Sequence, residues 1–139
     1  MFVDTNVLVY SRIAEAPLHS IARLMLEHVF QEEEAVHISR QIIREYLATV
    51  TRTYWPVPIP IHQAVNDVNE LFGLVNVLED GGDVTDILLD LCRNVPVAGR
   101  RIHDANIVAT MLAHGERRLL TFNTSDFIGY GDRIELVGN

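Results

Sequence analysis

The chain has no lysine. All eleven basic residues are arginines, against nineteen acidic ones, for a net charge of −8 over 139 residues. Such a balance argues against a broad basic surface for nucleic acid. The arginine bias itself is most simply a matter of genomic base composition, although arginine also makes planar, bidentate contacts to phosphate and carboxylate. There is one cysteine, Cys92, so no internal disulfide can form. Its place in the apolar register of residues 87–92 suits a buried structural thiol. The six histidines show no zinc-type spacing. No apolar run reaches membrane-spanning length, and Asp4 and Asn6 interrupt the opening apolar stretch, which excludes a signal peptide there. The expectation is a cytoplasmic protein that makes no membrane contact. Neither a Gly-rich phosphate loop of the Walker or Rossmann kind nor a Gly-x-Ser-x-Gly nucleophile elbow is present.

A hydrophobic fraction of 48% over this length can bury roughly two-thirds of the unfolded surface, enough for one core and one domain, residues 1–139. Phe2 and Val3 read as a short strand ending at Asp4, with Asp4 or Thr5 capping a helix to about Ala14. Pro17 breaks it. Residues 19–33 form a second helix, with Ile21, Leu24, Met25, His28 and Val29 at helical spacing. A short β segment covers 35–38. Ser39 is an N-cap, and Ile42, Ile43, Tyr46, Leu47 and Val50 mark an amphipathic helix. The run Trp55-Pro-Val-Pro-Ile-Pro60 is an extended connector, and Trp55 is either an exposed apolar patch or a cap on the core. Helix 61–72, strand 74–78 and the turn at Gly81-Gly82 follow. Asp83 and Asp86 form a capping pattern for a helix to Asn94. A loop over 97–101 enters the next helix, which ends at His114-Gly115. His103, near its start, caps or packs there. Strands over 119–122 and 134–137 close the chain. This alternation predicts an α/β fold with a parallel-type sheet and helices on both faces.

Four acidic residues stand at marked places: Asp4 at the end of the first strand, Glu45 bordering the apolar face of its helix, Asp104 in a first helical turn, and Asp126 after a late strand. Sites in open α/β sheets form beyond the carboxyl ends of the strands, and a helix N-terminus favours a carboxylate. Singly, each has a structural reading as a cap, dipole partner, turn residue or surface glutamate. Jointly they point to one acidic site. Carboxylates gathered there need a cation, and hard oxygen ligands suit Mg²⁺ or Mn²⁺ acting on phosphate.

With these residues in view, the chain resembles the PIN-domain ribonucleases, in particular the VapC-type toxins of bacterial toxin–antitoxin pairs. The matching motifs are Val3-Asp-Thr-Asn6, Glu45 in the third helix, Ile102-His-Asp-Ala105 with Ile107-Val-Ala-Thr110, and Leu120-Thr-Phe-Asn-Thr-Ser-Asp-Phe127. They run in order through nearly the whole chain. The resemblance implies a PIN-like α/β/α sandwich around a mainly parallel sheet of about five strands, and a Mg²⁺-dependent endonuclease for single-stranded RNA, with Mn²⁺ able to substitute. It implies Asp4 and Asp104 as the main metal ligands, completed by Glu45 and Asp126. Thr5, Asn6 and Ser125 would orient carboxylates or phosphate, and Asn123 competes with Asp126 for the fourth site position. Metal-assisted hydrolysis leaving a 5′-phosphate and a 3′-hydroxyl follows from the same likeness. Arg100 and Arg101 either hold RNA phosphates beside the metal or form a surface charge pair. The family also implies a homodimer and an antitoxin whose basic tail covers the acidic groove. The rival readings are a catalytically inactive PIN-like module that binds RNA or protein, a haloacid-dehalogenase-like phosphatase, and a DNA flap nuclease. The phosphatase wants an Asp where Asn6 stands and a lysine that is missing. The flap nuclease wants a helical arch for which 139 residues leave little room.

Overall fold

A computed structural model describes residues 1–138. Five short strands, β1 (Phe2–Val3), β2 (His37–Ser39), β3 (Asn76–Leu78), β4 (Arg118–Leu120) and β5 (Glu135–Val137), pair in the order β3-β2-β1-β4-β5. Every pairing is parallel, as the alternating pattern predicts. The helices are α1 (Thr5–Arg12), α2 (His19–Glu32), α3 (Arg40–Val50), α4 (Ile61–Leu71), α5 (Gly82–Asn94), α6 (Arg101–Ala113) and α7 (Thr124–Phe127), the last running into a 3₁₀ segment over Ile128–Arg133.

Handedness turns this order into layers. From β1 the chain steps to β2 and then β3 in one direction, and right-handed crossovers put α1 to α4 on one face. The step from β3 back across the sheet to β4 reverses direction, so α5 and α6 cover the other face. The packing agrees: α1 lies against α2 and α3, α3 against α4, and α5 against α6. The reversal falls between β1 and β4, which makes the space beyond their carboxyl ends the topological switch point where such sheets bind ligands. The core between the layers is apolar, with Phe2, Val3, Val7, Ile38, Ile42, Ile107, Leu119 and Leu120 at most 1% exposed.

Several local expectations shift for physical reasons. The strand expected over 74–78 starts at Asn76, because the amides of Leu74 and Val75 are used by the Leu71 carbonyl in the closing turn of α4. The strand expected to reach Phe122 ends at Leu120; the Phe122 amide donates instead to the Asn6 side chain, 3.2 Å away. The strand expected at 35–38 pairs over His37–Ser39. On α2, Ala22, Leu26 and Val29 are buried, whereas Leu24 and His28 are exposed and Ile21 is 40% exposed. An apolar residue on nearly every side of that helix left its inner face undefined by spacing alone. Gly81, not Asp83, stands at the N-cap of α5; Asp83 accepts from the Val84 amide within the first turn, and Asp86 is exposed. Ser39 caps α3 by accepting from the Ile42 amide, and Gly115 takes a left-handed φ of 73° after α6, as expected. Trp55 is a core cap: it is 9% exposed and its indole N–H donates to the Thr49 carbonyl at 2.9 Å. Cys92 is half-buried.

Candidate active site

Asp4 leaves β1 at the switch point and caps α1. Its amide donates to the Leu120 carbonyl at 2.9 Å, extending the β1–β4 ladder by one residue and fixing where the carboxylate emerges. Oδ1 accepts from the amide of Thr5, the first residue of α1, at 2.7 Å. Oδ2 accepts from the Thr121 hydroxyl at 2.7 Å and from the Asn6 amide group at 3.2 Å. Asp4 is 6% exposed. All its hydrogen-bond donors are neutral, so its charge is solvated but not cancelled.

Glu45 projects from the middle of α3 toward the same place. One carboxylate oxygen accepts from the Thr5 hydroxyl at 2.6 Å and the other from the Gln41 amide group at 2.9 Å. Thr5 thus links the two acids, giving its amide to Asp4 and its hydroxyl to Glu45. Asp104 comes from the opposite helical layer. Helix α6 runs antiparallel to the strand it feeds, so its first turn lies at the carboxyl edge of the sheet. The three carboxylates and Asn123 line one cleft of about 610 Å³.

Their electrostatics are those of crowded acids, of which the buried Asp4 has no cationic partner. The Asp4 carboxyl is raised from 3.8 to about 6, chiefly by burial and further by the charges of Glu45 and Asp104; the Thr121 and Thr5 hydrogen bonds oppose the rise. Burial also raises Asp104, as do the nearby charges of Asp126 and Glu45, against the opposing pull of Arg101. Tyr130, buried close by, is pushed up to about 12 by its own desolvation and by Asp104. A perturbed carboxylate group in a cleft marks a functional site on physical grounds. The donor set is all oxygen, which suits a hard cation such as Mg²⁺. Among the described residues no three His, Cys, Asp or Glu side chains converge closely enough to hold an ion alone.

The remaining expected residues divide sharply. Thr5 and Asn6 orient carboxylates, Asn6 also accepting from the Phe122 amide. Asn123 lines the cleft, whereas Asp126 does not. Asp126 lies in α7 and pairs with Arg101 at 2.9 Å. Arg101 is thereby engaged as one half of a surface charge pair next to Asp104. Ser125 is exposed and, among the described residues, bonds none of the site carboxylates; Arg100 is exposed just before α6. The His103 side chain is exposed, and its backbone carbonyl accepts from the Gln41 side chain at 2.8 Å.

Two contributors escape sequence reasoning. Thr121 is fully buried, and its hydroxyl also accepts from the Asn123 amide and the Asn6 side chain. The chain presses on it from behind: a Cβ at Gly138, where φ is 119°, would collide with the Thr121 carbonyl oxygen. Gln41 is 6% exposed and ties Glu45 to α6, while its own carbonyl accepts from Asn106, which also donates to Asp80. A buried Gln four residues before Glu45 on the same helix face was the available signal.

A family model described as PIN domain matches residues 1–130. The chain belongs to the PIN-domain family. Among solved structures, this PIN chain is similar to VapBC2 of Rickettsia felis bound to a promoter DNA fragment, at 17% identity and a TM-score of 0.69 over 98% of this chain and 96% of that one. It is similar to the sarcin–ricin-loop-cleaving toxin VapC20 of Mycobacterium tuberculosis, at 16% identity and 0.70 over 91% and 92%. A toxin–antitoxin complex from Klebsiella pneumoniae gives 20% identity and 0.69 over 99% and 95%. At these identities the likeness is one of fold. No curated protein matches the chain significantly. Among the described residues, no helix of this PIN fold is long and apolar enough to cross a membrane.

Proposed function

We propose that the chain is a Mg²⁺-dependent endoribonuclease for single-stranded RNA, acting as the toxin of a toxin–antitoxin pair. The observation that carries this reading is the convergence of Asp4, Glu45 and Asp104 in one cleft of a PIN fold, with only neutral donors on the buried Asp4. Such a group is incomplete without a cation. The similar folds of VapC20, a sarcin–ricin-loop-cleaving toxin, and of the Klebsiella toxin–antitoxin complex support the substrate class and an antitoxin partner. Mn²⁺ is the expected substitute metal, a homodimer the expected assembly and the cytoplasm the expected location.

Asp4 and Asp104 would hold the metal, which when bound would supply Lewis-acid polarisation of the scissile phosphate and a more acidic water. Thr121, Asn6 and the Thr5 amide hold Asp4 in one rotamer, so its free lone pair keeps its aim. Glu45, fixed by Thr5 and Gln41, is placed to accept a proton from the attacking water. Asn123, which lines the cleft, would serve as the fourth site residue and bind phosphate through its amide group. Asp126 acts at one remove, by holding Arg101 beside Asp104.

The test is incubation of the purified protein with single-stranded RNA in Mg²⁺, in Mn²⁺ and in EDTA, beside Asp4→Asn. Cleavage that needs metal and disappears in the variant is expected. Metal-independent cleavage, or full activity in Asp4→Asn, would overturn the assignment. Failure to cut any RNA, transfer and ribosomal RNA included, would favour an inactive PIN-like binding module.

A further inference from the structure

The acidic centre forms only part of the cleft. Beyond the end of α3 the lining changes to Arg52, Tyr54 and Trp55. Trp55 is anchored by its indole bond to the Thr49 carbonyl and is buried. Tyr54 packs against it edge to face, with ring centroids 5.2 Å apart and planes at 78°. Yet Tyr54 is 82% exposed. An aromatic ring braced by one neighbouring ring and otherwise open to solvent contributes little to the core. It has the form of a platform, with the flanking prolines 56, 58 and 60 stiffening the segment. Arg52, two residues earlier, is exposed. Of the eleven arginines, four form ion pairs, Arg12, Arg40, Arg101 and Arg118, and of the others Arg52 is the one that lines the cleft. Among the described residues Arg52 forms none, although it shares a cleft with three carboxylates.

We infer that Arg52 and Tyr54 form a nucleobase subsite: an unpaired base next to the scissile phosphate stacks on Tyr54 while Arg52 holds a neighbouring phosphate. This rests on the reading of the cleft as an RNA-cleaving site. Single-stranded nucleic acid is held by this combination of a π face and a cation. A base in a duplex is stacked on its neighbours and cannot use the platform, so the subsite selects for unpaired RNA. At this end of the cleft the cation Arg52 favours a phosphate of the chain, whereas the three carboxylates of the acidic centre favour a cation.

The test is steady-state cleavage of an unpaired oligoribonucleotide by the full chain. Because stacking on an aromatic residue is worth roughly a tenfold to hundredfold change in affinity, Tyr54→Ala should raise KM by about that factor with kcat nearly unchanged. Tyr54→Trp should restore it. Arg52→Ala should also raise KM and should lower the dependence of log KM on log salt by roughly 0.7. As uncut competitors, a thymidine decamer and an abasic deoxyribose decamer separate base from backbone: Tyr54→Ala should weaken inhibition by the first only. Unchanged KM in Tyr54→Ala, or an equal loss for both competitors, would overturn the subsite and leave the nuclease standing. An unvaried chain that cuts no RNA would remove both. Thermal midpoints close to that of the unvaried chain are expected for all three variants, since both side chains are exposed.

Discussion

Two carboxylates in contact with α1, Asp4 at its N-cap and Asp67 on α4, teach opposite lessons. Asp67 on α4 accepts from the Arg12 guanidinium at 2.8 Å and from the Tyr46 hydroxyl at 2.7 Å. Its charge is matched inside the protein, and it ties α4 to α1 and α3. The bond to Asp67, after burial, raises the Tyr46 hydroxyl above the ordinary tyrosine range. Asp4 accepts three hydrogen bonds against two for Asp67, but from Thr5, Asn6 and Thr121, all neutral, and its nearest charges are Glu45 and Asp104. A matched carboxylate is structural. An unmatched one that the fold nevertheless keeps buried is a site awaiting a cation.

The contrast is broken most directly by exchanging the two acids for amides. Asp4→Asn or Asp104→Asn should lower RNA cleavage by about 10³-fold or more, since several kcal/mol of transition-state charge stabilisation depend on the cation they hold. Asp67→Asn should leave kcat within a few-fold. Comparable losses at Asp4 and Asp67 in initial-rate assays would erase the distinction.

The same pair should invert in stability. The Asp4 carboxyl is raised from 3.8 to about 6, so the metal-free folded protein binds that proton more tightly than the unfolded chain. The resulting stabilisation is complete below the unfolded value and is lost as pH rises through about 6. From this group alone the metal-free protein should be about 3 kcal/mol less stable at neutral pH than its acid limit. In EDTA at neutral pH, Asp4→Asn should therefore raise the thermal midpoint, whereas Asp67→Asn should lower it, at a cost in stability of about 1–3 kcal/mol through broken hydrogen bonds. Mg²⁺ should stabilise the unvaried protein more at pH 7.5 than at pH 5, where Asp4 is protonated. Thermal melts with and without Mg²⁺ check both signs; a Mg²⁺ effect equal at the two pH values counts against Asp4 as a ligand.

Thr121→Val sharpens the comparison from the side of the donors. It removes the hydroxyl that steadies ionised Asp4, at a cost of about 1 kcal/mol for a lost buried hydrogen bond. The acid limb of the pH–rate profile should move to higher pH. An unmoved limb would mean that Thr121 only packs.

The smallest effect is expected at Asp126→Asn. Its partner Arg101 is half exposed, and a pair so open to water contributes at most about 1 kcal/mol. Activity should fall only a few-fold. A loss matching that of Asp104→Asn in the same assay would make Asp126 a ligand and remove Asn123 from the fourth position.

Much of this was readable in the chain. The start of the first helix after Asp4, the cap at Ser39, the turn at Gly115 and the alternation that predicts a parallel sheet all rest on interactions between residues close in sequence. Local chemistry leaves local marks. The inner face of α2 was not legible, because apolar residues surround that helix and only its neighbours select a side. Nor could sequence separate Asp126 from Asp104: both are acids at the starts of helices, and a partner 25 residues away distinguishes them.

The sequence by itself determined the element order, the family motifs and the presence of four placed acids, since each depends on spacing along one strand or helix. Only the tertiary structure decided which acids meet. Reversal of the strand order between β1 and β4 opens the cleft, crossover handedness brings Glu45 and Asp104 to it from opposite layers, and Thr121, 117 residues from Asp4, supplies its shortest side-chain bond. Charge matching is a property of neighbours in space, and those neighbours exist only once the chain has folded.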